Sequence, residues 1–157
     1  MSGGKVAVYT GILPITKDDY GLATVMGHEI GHAIPKHTDE RYSHTMLVQA
    51  GGGVLGVATS GQSAASQQIL GQLYGFGGQI ALLKYSRNQE SEADKLGLIF
   101  MAMAGYDPNK AVEFWQRMSA ASKQGGNKPP AFLSTHPSDE TRIAQIQRYL
   151  PEALKYY

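Results

Sequence analysis

Residues 25–37 read VMGHEIGHAIPKH and set three histidines and one glutamate among thirteen largely apolar positions. His28 and His32 are four residues apart, so on a helix they stand one turn above another, with Cβ atoms about 5–6 Å apart. Both imidazoles can then reach one zinc ion at about 2.0–2.1 Å. Glu29 follows His28 by about 100° around the helix, which takes it out of the ligand pair and leaves it beside an open coordination position. There a carboxylate can serve as general base toward a water that the metal activates. The alternative is a helix whose histidines are satisfied by backbone carbonyls, and a third ligand elsewhere in the chain weighs against it.

The stretch SRNQESEAD, residues 86–94, supplies Glu90, Glu92 and Asp94 as candidates. Glu90 and Asp94 lie at i and i+4 on one helix face, whereas Glu92 points nearly opposite to Glu90. This phase assigns Glu90 to zinc and places Asp94 behind a ligand, accepting a hydrogen bond from the far ring nitrogen of a histidine, His28 before His32. Glu92 falls on the outer face. Taken alone, the acidic cluster would read as a solvated helix face. Beside His28, Glu29 and His32 it completes a His2Glu set for one zinc per chain. An open fourth position makes this a catalytic arrangement, because structural zinc sites are usually closed by four protein ligands.

These side chains need helices to hold them. Thr16, Asp18 or Asp19 can cap a helix that continues through Leu22, Val25, Met26 and Ile30 at helical spacing. Pro35 lacks a backbone donor and should kink or end that helix near Ala33, with helix resuming over residues 36–50. Residues 51–86 predict a flexible Gly/Ser/Ala-rich loop and then, from Ser66, a helix with Ile69, Leu70, Leu73, Ile80 and Leu83 on one face. The acidic motif predicts a second strong helix stopped by Gly105. Asp107 and Pro108 start another, residues 123–131 form a linker-like loop, and a last helix restarts near Pro137. At the front, KVAVYT alternates Val6 and Val8 against Ala7 and Tyr9, the pattern of a short strand. The expected fold is mainly α with a small β-sheet edge (α+β), in one domain over residues 1–157.

Composition narrows the function classes. The 157 residues are 42% apolar, enough for a real core, and 14 basic against 13 acidic residues give a charge of +1. Nothing there suggests a nucleic-acid partner. Without cysteine there are no disulfides, thiolate ligands or cysteine nucleophiles, so a metal falls to His, Asp and Glu. The longest nearly apolar stretch, residues 46–58, is well short of the roughly 18–20 residues of a membrane span. The opening residues lack the features of a signal peptide and read as the middle of a domain. GGGVLG, residues 51–56, satisfies a dinucleotide-loop pattern, but neither a preceding strand nor a following acidic residue at the right distance is evident. His37 and His44 read as surface or packing residues, and Phe114, Trp115 and Met118 as core.

Three motifs in this order, GHEIGHA, ESEADKLG and FLSTHPSDETRI, resemble metallopeptidase family 48, with similarity running from GGKVAVYTG to about Leu150. That family of HEXXH zinc endopeptidases includes bacterial envelope quality-control peptidases, the CAAX prenyl-protein endopeptidase and the mitochondrial peptidase Oma. The soluble envelope branch fits best, since the chain lacks the spans of the membrane-embedded branches. The resemblance implies a zincin-like (gluzincin) catalytic domain, truncated at its N-terminus, with His28, His32 and Glu90 on zinc, Glu29 as base and Asp94 behind a ligand. It also implies roles for His136 and Arg142: one or both approach the oxyanion as electrophile, or the His136 loop covers the metal. Against that stand a His136 that only caps a helix and an Arg142 in a surface ion pair. In the family, the segment matching GGKVAVYTG is an edge strand, so Val6, Ala7, Val8 and Tyr9 would pair with an extended protein or peptide substrate. Pro35 departs from the pattern, sitting where a helix former is expected. The expected function is zinc-dependent endopeptidase action on unfolded or misassembled envelope proteins, in a bacterial periplasm by resemblance alone. The alternative is a zinc-gated, proteolytically latent binding or chaperone-like module.

Overall fold

The computed structural model describes residues 7–124, 136 and 140–157. Thr10–Ile12 form a 3-10 turn and Leu13–Thr16 a single helical turn, α1. Five longer helices follow: α2 Asp19–Ala33, α3 His37–Ala58, α4 Ala64–Met103, α5 Asn109–Gln124 and α6 Glu140–Ala153. Asp18 opens α2 by accepting the Gly21 amide at 2.9 Å, which satisfies one of the free donors of a first turn. Asp107 does the same for the Asn109 amide at 2.9 Å. Gly105, at φ 82, ends α4 in the left-handed conformation that glycine adopts without strain.

The expected β-sheet edge is not there. Among the described residues there is no strand: Ala7, Val8 and Tyr9 lie outside any regular element, and Val6 lies outside the described residues. Tyr9 is extended, at φ −72 and ψ 129, but its carbonyl accepts the Ile12 amide at 3.1 Å and the chain winds straight into a turn. A strand exists through its ladder to a neighbour, and no described segment offers one. The alternation also buries no face here, since Val8 and Tyr9 are both exposed. The fold class is all-helical over the described residues, not α+β.

A second difference lies in residues 51–86. The first part of the predicted loop is instead the end of α3, only residues 59–63 are non-helical, and the two predicted helices after it are one helix of 40 residues. The start of the Gly-rich stretch is packed, whereas Gly53 and Gly56 face open space. Tyr74 of α4 donates to the Val48 carbonyl at 3.0 Å, and a Cβ on Gly51 would collide with the Tyr74 hydroxyl. On α4, Gly78 in turn leaves room for Val48. Tertiary contact of this kind overrides the roughly 1 kcal/mol by which glycine disfavours helix.

The chain divides into two compact units, residues 1–31 with 91–157, and residues 32–90. Both boundaries fall within helices, α2 and α4. The first unit holds a core in which α5 contributes Ala111, Phe114, Trp115 and Met118, packed with Val25 of α2, Leu98 and Met101 of α4 and Ile146 of α6. Arg117 donates to the Ile15 and Thr16 carbonyls at 2.9 and 3.1 Å, satisfying the end of α1. The second unit is a hairpin of α3 with the first part of α4. Near its base the Tyr85 hydroxyl donates to Glu40 at 2.6 Å, and Gln89 donates to Glu40 and to the His37 carbonyl at 3.3 and 3.1 Å.

Candidate metal centre

In the first unit α2 lies against α4 with almost no space between the backbones. A Cβ on Gly27 would stand 2.7 Å from the Gly97 carbonyl oxygen, one on Gly31 2.5 Å from that of Ala93, and one on Gly97 2.8 Å from the His28 nitrogen. Only glycine permits this approach. It brings His28, on the next position of α2, to Asp94 of α4, with His28 Nδ1 2.9 Å from Asp94 Oδ1.

Asp94 also accepts both arms of a guanidinium: Arg142 Nε and Nη2 each lie 2.8 Å from a carboxylate oxygen. The guanidinium carbon rests 3.6 Å from the Trp115 ring centroid, and the same ring meets His28 edge-on at 5.7 Å. His28, Asp94, Arg142 and Trp115 are all buried. Burial alone would raise the Asp94 carboxyl; the charge of Arg142 and the bond from His28 outweigh it and hold it below the usual carboxylate range. An ionised Asp94 accepts only, so His28 carries its proton on Nδ1 and turns an Nε2 lone pair away from the core. Arg142 Nη2 is 3.3 Å from both His28 nitrogens. That equidistance puts it over the ring face and not in line with the lone pair.

His28 Nε2 faces His136 Nδ1 at 3.1 Å, and His136 Nε2 lies 3.4 Å from Glu29 Oε1. The Glu29 side chain is 42% exposed, open to water. In the second unit His32 Nε2 stands 3.1 Å from Glu90 Oε1, while His32 Nδ1 meets His37 Nδ1 at 2.9 Å. Tetrahedral ligands at about 2.0–2.1 Å from zinc are about 3.3 Å from one another. The His28–His136 and His32–Glu90 separations both approach that edge length. Imidazole nitrogens and a carboxylate oxygen at this spacing are the donor types that zinc takes, so the donor chemistry fits a metal. His28, His32, Glu90 and His136 each carry a ligand atom of a kind that zinc binds.

The other residues singled out in the sequence fall as follows. Asp94 is buried behind His28, Glu92 is exposed, and Arg142 is buried on Trp115. His44 is exposed and packs on the Tyr85 ring at 4.1 Å. The sequence reading did not single out Gly27, Gly31 and Gly97, although a pair of glycines four apart on the metal helix is the signal of a close helix contact. It also placed His37 at the surface or in packing, and Trp115 in the core without its contacts to Arg142 and His28.

The chain matches peptidase family M48 over residues 1–150. It is 44% identical over 154 residues to the mitochondrial metalloendopeptidase OMA1 of Schizosaccharomyces pombe, covering 98% of this chain and 43% of that protein. Against the OMA1 enzyme of Saccharomyces cerevisiae the identity is 38% over 160 residues, covering 100% and 44%. Against a putative beta-barrel assembly-enhancing protease of Vibrio cholerae it is 33% over 150 residues, covering 90% and 30%. The chain thus spans less than half the length of these relatives. Of the three, the mitochondrial enzymes match at higher identity than the bacterial one, so the comparisons do not single out the envelope setting that the motifs suggested. No solved structure matches.

Proposed function

Because this chain belongs to peptidase family M48, whose metallopeptidases are zinc-dependent, we propose that it is the catalytic domain of a metalloendopeptidase, with His28, His32 and Glu90 as zinc ligands and Glu29 as general base. The observation that carries this reading is the 3.1 Å approach of His32 Nε2 to Glu90 Oε1, with His28 and Glu29 one turn earlier on the same helix α2. Zinc, when bound, polarises a substrate carbonyl and makes water acidic enough to attack it. Glu29, partly open to solvent, takes the proton from that water and passes it to the leaving amine. Asp94 keeps the His28 proton on Nδ1 and so keeps Nε2 available as a ligand. Arg142, clamped between Asp94 and Trp115, fixes the carboxylate in turn. His136 is the better placed of the two oxyanion candidates, since its ring lies beside both Glu29 and His28.

The 3.1 Å approach of His136 Nδ1 to His28 Nε2 favours a second reading. In it His136 closes the site as a fourth ligand and the domain is latent until that ring leaves. For the substrate we propose unfolded or misassembled envelope proteins; the Vibrio relative is named for enhancing beta-barrel assembly.

The test is digestion of an unfolded protein by wild type and by Glu29→Gln, with metal content measured on both. The variant should keep its zinc and lose at least about 10²-fold in rate, the lower end for removing a general base. Equal digestion by both would overturn the assignment.

A further inference from the structure

α2 stops at Ala33 because Pro35 follows, and after three intervening residues α3 begins at His37. In an unbroken helix, residues five apart are separated by about 140° and about 7.5 Å along the axis, too far for two imidazoles to meet edge to edge. Here the turn over residues 34–36, with Lys36 at φ 57 and ψ 38, folds the chain back. It brings His37 Nδ1 to 2.9 Å from His32 Nδ1. His37 is only 2% exposed. Its carbonyl takes a bond from Gln89 at 3.1 Å, and Glu40, one turn on, is held by Tyr85 and Gln89. Gln89 immediately precedes Glu90, so the residue that fixes His37 and the proposed ligand share a turn of α4.

We propose that His37 is a positioning residue for the metal centre, accepting the Nδ1–H of His32 and so turning His32 Nε2 toward Glu90. The inference rests on the reading of His32 as a metal ligand. A contact between two ring nitrogens needs one donor and one acceptor. When His32 binds through Nε2, its proton resides on Nδ1, so His37 Nδ1 accepts and the proton of His37 is on Nε2. His37 is then to His32 what Asp94 is to His28, with a neutral acceptor in place of a charged one. The proline that departs from a continuous helix is what builds the contact.

Two measurements test it. Nitrogen NMR of the histidine rings in the zinc-loaded wild-type protein should show His37 protonated on Nε2 and bare on Nδ1; a proton on His37 Nδ1 overturns the proposal without any variant. Zinc affinity, read by chelator competition, should fall about 10–100-fold in His37→Leu, as for other residues that orient a ligand. His37→Asn, whose Oδ1 can replace the accepting nitrogen, should recover most of that loss. Thermal unfolding of the metal-free forms, followed alongside, should not track these affinities. Wild-type affinity in His37→Leu, or equal losses in both variants, overturns the proposal and leaves the zinc site standing. A wild-type protein that binds no zinc sinks the site itself.

Discussion

Gly31 of α2 and Ala93 of α4 touch through their backbones, so that a Cβ on Gly31 would lie 2.5 Å from the Ala93 carbonyl oxygen. Gly31→Ala therefore has to separate the helices that carry the histidines and the acidic motif. We expect a loss of about 1–3 kcal/mol, the usual cost of overpacking, together with weaker zinc binding. Gly53→Ala is the control: its Cβ meets nothing within 4 Å in the middle of α3, and it should stabilise by about 0.5–1 kcal/mol. Urea unfolding of both variants checks the pair. A neutral Gly31→Ala would mean that the two helices are not held together there.

Asp94→Asn should weaken zinc by about 10–100-fold, because the amide can no longer hold His28 in its ligating tautomer with the same strength. It also removes the carboxylate that compensates buried Arg142, a change that typically costs about 3–5 kcal/mol. Glu92→Gln, on an exposed position, should alter neither quantity. Metal titrations on the two variants decide it, and release of zinc by Glu92→Gln with retention by Glu90→Gln would reverse the assigned helix phase.

Removal of zinc should lower the unfolding temperature, since a metal bound only by the folded state stabilises by about 2.7 kcal/mol at a free concentration 100 times its Kd. A His28→Ala/His32→Ala double variant should show no response to a chelator. Calorimetry with and without chelator is the measurement, and stoichiometric zinc in the double variant would refute the ligand set.

His136→Ala separates open from closed. With the ring 3.1 Å from His28 Nε2, we expect its removal to open the site and raise cleavage of a short peptide, because an enzyme whose competent state is rare loses apparent affinity in proportion. A fall of kcat and kcat/KM together at constant KM would assign His136 to transition-state stabilisation instead. Unchanged kinetics would exclude both roles.

The parts of this protein legible in the sequence are those that a single helix decides. The i, i+4 spacing of His28 and His32, the phase of Glu90 and Asp94 against Glu92, the caps at Asp107 and Gly105, and a cap among Thr16, Asp18 and Asp19 depend on residues within a turn or so of each other, where backbone geometry leaves little choice. Tertiary structure decided the rest, because it depends on which distant residue arrives. The alternation of Val6, Ala7, Val8 and Tyr9 suggests a strand, yet a strand needs a neighbour that the described chain does not supply. Gly51 and the glycines after it suggest a loop, yet the Tyr74 ring fills the space beside Gly51 and α3 runs on to Ala58. Arg142 could have faced solvent or substrate; Asp94 and Trp115, 48 and 27 residues away in sequence, give it a buried seat. Pro35 announced only an interruption of the helix, and it took the return of α3 beside α4 to turn that interruption into a contact between His37 and His32.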